Sequence, residues 1–185
     1  IELGAHRGDD TVWLRAACGS KPHLYIAVEA DPRHIPFLRE CAFLREGVRD
    51  LDVHIFETAI ASHTGTTVLH LSDNDVGIVP ASSSIRKPKL HLENWPWCRF
   101  ERQEKVTCMM LDDVVRQCCA NLPITLLWAD LQGAERDMIE GGRETLSRTR
   151  WLYMEAYECE MFEGQATRSE LLSMLPNFHL IGQDN

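Results

Sequence analysis

Ile1-Glu2-Leu3-Gly4-Ala5-His6-Arg7-Gly8 decides the fold: a short apolar run enters a loop bounded by two glycines, and Asp9-Asp10-Thr11 then opens a helix. A parallel strand that turns into a helix at its carboxyl end is where open α/β sheets bind ligands. Gly4 and Gly8 lack Cβ, so backbone amides can come close to whatever sits above the loop. The next apolar run, Leu24-Tyr25-Ile26-Ala27-Val28, ends on Glu29, where a carboxylate can accept both hydroxyl protons of a ribose. Together the two segments spell a nucleotide pocket. A dinucleotide fingerprint needs G-x-G-x-x-G, but His6 and Asp9 hold its second and third glycine positions. A pyrophosphate would meet side chains there, which disfavours NAD.

The 185 residues fit one domain, 1–185, of a size that buries roughly 70% of the surface its unfolded chain exposes. Hydrophobic residues make up 44% and charged residues 25%, and no run approaches the ~20 apolar residues of a membrane span. The formal charge of -9 opposes phosphate backbones. No membrane and no nucleic-acid partner is therefore expected. Seven cysteines form an odd set without C-x-x-C, which reads as reduced thiols in a cytoplasmic protein. The scattered histidines show no ligand spacing, so no metal is expected.

Apolar runs alternate with helical stretches, the pattern of a mostly parallel α/β sheet with helices on both faces. The first crossover helix is read from about Thr11 to Cys18, stopping at Gly19. Asp31 is the expected N-cap and Pro32 the first residue of a second helix running to Gly47. Val53 to Phe56 is the third strand. Ala59-Ile60-Ala61 and Thr67 to Leu71, flanking Ser62-His63-Thr64-Gly65, read as a hairpin. Periodicity fails over 72–105, an irregular insertion or lid that holds Ser82-Ser83-Ser84, the basic residues Arg86, Lys87, Lys89, Arg99 and Arg102, and the aromatics Trp95, Trp97 and Phe100. Its aromatic faces and cations suit a sugar ring or an anionic acceptor group; the alternative is a solvated loop whose tryptophans pack on a sheet edge. Val106 to Leu111 reads as extended and Asp112 as the cap of a helix to Cys119. Ile124 to Ala129 is the fourth main strand, with Asp130 at its end. Helices follow around Glu135 to Glu140 and up to Arg148, then a fifth strand, Trp151 to Glu155. Thr167-Arg168-Ser169-Glu170 is a capping box, and Phe178 to Ile181 a short sixth strand.

Four segments carry a resemblance. They are Glu2 to Thr11; Val28-Glu29-Ala30-Asp31-Pro32; Val106 to Asp113; and Asp130-Leu131-Gln132-Gly133-Ala134-Glu135, with Gly141 six residues later. Over nearly its whole length the chain resembles the FkbM family of S-adenosylmethionine (SAM)-dependent methyltransferases, and D-x-x-G-A-E is the most specific of the matches. The resemblance implies a Rossmann-like class I methyltransferase sheet, SAM as cofactor, and methyl transfer to a hydroxyl of a small-molecule, sugar or natural-product acceptor. This chain departs from the family pattern at His6 (usually Asn), Ala30 (Pro), Trp128 (Lys) and Gln132 (Glu). Sheets of this class usually finish with a seventh, antiparallel strand, one more than is read here.

In-line displacement at a sulfonium draws most of its catalysis from alignment, but a hydroxyl acceptor must lose its proton to a nearby base. Asp130 is the first candidate, followed by Glu135, Glu155 and His6. The expected cofactor contacts are Glu2, Gly4, Ala5, His6, Gly8 and Thr11 around the first loop, then Glu29, Ala30 and Asp31, then Thr58 and Ala59 beside an adenine, and Asp130. Each has a structural alternative. Asp130 and Glu135 suit a turn or a helix N-terminus, and His6 could simply bond backbone. At the level of function, the alternatives are a SAM-binding regulatory or scaffold protein without turnover and an NAD-linked oxidoreductase.

Overall fold

The computed structural model describes residues 1–11, 13–14, 23–41, 51–74, 81–119 and 121–183. In chain order its elements are β1 (Glu2–Leu3), β2 (His23–Glu29), α1 (Ile35–Glu40), β3 (Leu51–Glu57), β4 (Ala59–Ile60), β5 (Gly65–Asp73), α2 (His91–Asn94) and β6 (Arg99–Met109). They continue with α3 (Leu111–Cys119), β7 (Ile124–Ala129), α4 (Glu135–Gly141), α5 (Arg143–Ser147), β8 (Thr149–Met154) and α6 (Arg168–Met174).

Five strands form a parallel sheet in the order β3-β2-β1-β7-β8. This is the expected Rossmann-like α/β architecture. The chain builds outward from β1 in one direction, then returns to its other side, so the switch point lies at β1, where such sheets hold ligands. Register sets what meets there. Leu3 pairs with both Val28 and Ala129, so the next residues, Gly4, Glu29 and Asp130, leave three adjacent strands at one level. Ala129 pairs with Met154, which brings Glu155 beside Asp130.

Apolar residues alternate across the sheet because both faces are covered. Ile26 and Val28 join Leu3 and Leu127 in a core closed by Leu111, Val114, Met138 and Leu171. Tyr25 and Ala27 point the other way, toward Ala5, Leu14 and Leu38. At the carboxyl side of this core the chain kinks closely: a Cβ on Gly141 would lie 2.8 Å from the Ala61 carbonyl oxygen, so a larger residue would push α4 off the end of β4.

Several local expectations are corrected. The segments around Ser62 to Gly65 do not pair with each other. A second sheet, β4-β6-β5, places β6 between them, parallel to β4 and antiparallel to β5. β6 starts at Arg99, seven residues before the extended run read from sequence, because pairing along β5 holds its charged, mostly exposed residues in a strand. Asp31 caps a turn rather than the helix: its carbonyl accepts from the His34 amide (3.0 Å) and its Oδ1 from the Arg33 amide (3.0 Å), and α1 begins only at Ile35. Asp112 lies inside the first turn of α3 and caps α5 instead, accepting from the amides of Glu144 (3.1 Å) and Thr145 (2.7 Å). Phe178 to Ile181 forms no strand; Leu180 and Ile181 are 61% and 80% exposed. The Thr167–Glu170 capping box forms as read. The rest of the first crossover helix, the second helix beyond Cys41, and 75–80 of the insertion lie outside the described residues. Among the described residues no helix is long and apolar enough to cross a membrane.

Candidate active site

A cleft of about 860 Å³, its open mouth included, lies at the carboxyl ends of β1, β2 and β7. Gly4 makes the opening of the loop possible. It sits at φ +81°, and a Cβ there would stand 1.9 Å from the Asp130 carbonyl oxygen, so only glycine lets β1 and β7 part at this point. The loop turns back through His6, itself left-handed at φ +49°, a conformation in which Asn, Asp and His are enriched.

Glu29 organises one end. Its Oε2 accepts from the His6 amide (2.7 Å) and its Oε1 from the Asp31 amide (2.6 Å), so the carboxyl ties the glycine loop to the turn after β2. Burial pushes its pKa up to about 7, against the pull of those amides. Beside it, the imidazoles of His6 and His34 meet edge to face with centroids 4.1 Å apart. The Nδ1 of His6 is bonded to Asp9 (2.9 Å), whereas its Nε2 and both ring nitrogens of His34 have no hydrogen-bond partner among the described residues. His34 is 2% exposed, and burial holds its pKa down at about 4.

Carboxyl groups gather at the other end. The Gln132 amide donates to Asp130 Oδ1 (2.5 Å) and Glu155 Oε2 (3.1 Å), while the Tyr157 hydroxyl donates to Glu155 Oε1 (2.7 Å). Burial first, and the neighbouring Glu155 second, push the Asp130 pKa up to about 7. Glu135 lies below: its Oε1 accepts from the amides of Leu131 (3.2 Å) and Gly133 (3.3 Å), and its Oε2 has no partner. Burial raises its pKa to about 7 as well. The D-x-x-G-A-E motif is thus a self-fastened turn, with Gln132 and Gly133 both left-handed and Glu135 gripping the amides of Leu131 and Gly133 from beneath.

The roof is a strap, residues 81–85. Ser83 donates to Asp31 Oδ2 (2.8 Å) over the Glu29 end, and Ser84 donates to the Gln132 carbonyl (2.7 Å) over the acidic end.

Of the residues picked from sequence, Gly4, Ala5, His6, Glu29, Ala30, Thr58, Ala59 and Asp130 line the cleft. Six others, Glu2, Gly8, Thr11, Asp31, Glu135 and Glu155, stand behind its wall. Glu2 is buried under the loop, accepting from the hydroxyls of Thr11 (2.6 Å) and Tyr25 (2.5 Å). Gly8 closes the loop onto the Ala5 carbonyl (2.8 Å), and Asp31 is taken up by Arg33 and Ser83. Glu135 and Glu155 support Asp130 from below and beside. Sequence reasoning missed His34, Ser83 and Ser84, which line the cleft, and Tyr157 behind it. The serine triplet in an irregular segment was the available signal. Trp128 stacks on Tyr153, with ring centroids 3.8 Å apart and planes 8° from parallel.

The model of the methyltransferase FkbM domain matches residues 2–179. A relative described as 2-O-methyltransferase NoeI, from Sinorhizobium fredii (strain NBRC 101917 / NGR234), is 36% identical over 187 residues, covering 99% of this chain and 73% of the relative. No solved structure matches the chain.

Proposed function

The chain belongs to the FkbM methyltransferase family, and from that premise we propose that it uses SAM to methylate a hydroxyl of a small-molecule or glycosidic acceptor, with Asp130 as the base. The observation that carries this reading is the register that delivers Gly4, Glu29 and Asp130 to one cleft from three neighbouring strands.

The lining fits a sulfonium nucleoside. The Glu29 oxygens each retain a lone pair for ribose hydroxyls beyond the amides they accept. The ring nitrogens of His6 and His34 that make no hydrogen bond among the described residues offer further polar contacts beside it, and Thr58, Ala59 and Ile60 line the cleft after β3. When bound, SAM supplies an electrophilic methyl group. Asp130 then needs only to stand near the acceptor oxygen and take its proton. A carboxyl whose pKa is about 7 is matched to that task near neutral pH. Family membership argues against the NAD-linked alternative, and the similarity to a 2-O-methyltransferase makes a 2-hydroxyl the first acceptor atom to test.

The test is calorimetric SAM binding together with S-adenosylhomocysteine formation over a panel of sugars and glycosides bearing a free 2-hydroxyl. Asp130→Asn should keep SAM binding while cutting transfer by about 10²–10⁴-fold. Unchanged turnover would remove Asp130 as base, and failure to bind SAM would remove the reading altogether.

A further inference from the structure

Asp130 and Glu155 arrive at the ends of neighbouring strands, and a single amide nitrogen spans them, 2.5 Å from one carboxyl and 3.1 Å from the other. An NH₂ group has two hydrogens, so one glutamine amide can donate to two carboxylates, one hydrogen to each. The residue that carries this amide is itself held at several points. Gln132 stands at φ +50°, which side chains rarely adopt. Its carbonyl accepts from Ser84, and the amides on either side of it, those of Leu131 and Gly133, are gripped by Glu135. Relaxing the backbone would break those bonds, so the side chain is aimed by the turn. Asp130 and Gln132 line the cleft, whereas Glu155 stands behind them with its second oxygen taken by Tyr157.

We propose that Gln132 is a positioning residue for the base: it clamps Asp130 and Glu155 into one proton-sharing pair and presents Asp130, the member on the cleft, to the acceptor hydroxyl. This rests on the reading of Asp130 as base. The proton leaving the acceptor oxygen as its bond to the methyl group forms goes to Asp130, and the pair carries it until it passes to water. The titratable groups that face Asp130 are Asp10 from the glycine loop, Glu135 from α4, and Glu155 and Tyr157 from beyond β8. All are acidic or phenolic. Gln132 is the donor bonded directly to Asp130, and replacing it with an acid would both withdraw that donor and add a third carboxyl.

The experiment uses the whole chain labelled with ¹³C at the aspartate carboxyl carbons. Asp130 is assigned by the signal lost in Asp130→Asn and followed through a pH titration. Gln132→Glu should move its midpoint up by about 1 pH unit or more, the effect of a like charge at contact. Gln132→Met, of similar length but without donors, should move it up by less and decides the matter should the acidic variant fail to fold. A midpoint that stays at the wild-type value in the folded variants overturns the proposal. With an acceptor in hand, the acidic limb of the kcat profile should move with the midpoint, a shift that a merely structural role would not cause. A shifted midpoint with an unmoved profile overturns Asp130 as base while leaving the clamp intact, so the two failures are distinguishable.

Discussion

Glu29 is pulled in opposite directions by its surroundings. Burial favours the neutral acid, while the amides of His6 and Asp31 favour the anion, leaving a pKa of about 7. Ribose hydroxyls arriving as donors would add to the second side. Below pH 7, binding must then expel a proton, so SAM affinity should fall as the buffer is made mildly acidic and level off above neutrality. Calorimetry over a pH series checks this, and in Glu29→Gln the dependence below neutrality should flatten. Glu29→Ala should weaken binding by about 1–3 kcal/mol, since it removes a charge-assisted acceptor and frees the loop amide of His6. Glu135 is the contrasting case. It is 1% exposed and holds two amides of the Asp130 turn with one oxygen, the other being unpartnered. Glu135→Gln should therefore be tolerated near neutral pH, whereas Glu135→Ala leaves both amides unsatisfied and should cost about 1–3 kcal/mol in a denaturant melt.

At the scale of elements, the strap over the cleft depends on a few hydroxyls. Ser83 accepts from the Ser72 amide (3.0 Å) and donates to Asp31, which is itself clamped by Arg33. Ser83→Ala should loosen 81–85 locally, seen as faster amide exchange there with the exchange of β1 and β7 unchanged; uniform exchange across the chain would refute a local role. The strap also explains what the sequence could and could not disclose. The glycine loop, Glu29 and Asp130 were legible because a left-handed turn and a strand end are local properties written in a few adjacent residues. His34, Ser83 and Tyr157 were not, because their roles arise from segments brought together by the fold: Ser83 meets Asp31 across 52 positions. β6 hid for a related reason. Its Arg99 to Lys105 half buries no alternating apolar face and is a strand only because β5 lies beside it. The supposed hairpin and final strand fail similarly. Short apolar runs pair with whatever edge the topology offers them, or with none.

Over the whole molecule, the acids concentrated at the cleft should make stability depend on pH in an unusual direction. Glu29, Asp130 and Glu135 all have pKa values of about 7 when folded, and burial raises Glu2 too. Unfolded, these groups would titrate near 4.5 for glutamate and 3.8 for aspartate. Between those values and 7 the folded state binds more protons than the unfolded one, so stability falls as pH rises. His34 acts in the opposite sense. Its folded value of about 4 lies below the ordinary 6.5, so across that interval the unfolded chain binds the extra proton and stability rises with pH. Burial lowers His70 and His91 as well, so they act in the same sense as His34, but the imidazole contribution fades above 6.5, and toward 7 the carboxyls dominate. Asp31, lowered from 3.8, matters only in stronger acid. The formal charge of -9 adds self-repulsion in the same direction as the carboxyls. Without added SAM, the chain should melt several degrees higher in mildly acidic buffer than just above neutrality, with about 2–4 °C for each kcal/mol at this size. Glu135→Gln should reduce the slope, because it replaces one of the groups that must ionise in place. A melting temperature that instead climbs through this range would mean that these carboxyls ionise as readily folded as unfolded, and would undo the account of a desolvated acidic cluster beside the cleft.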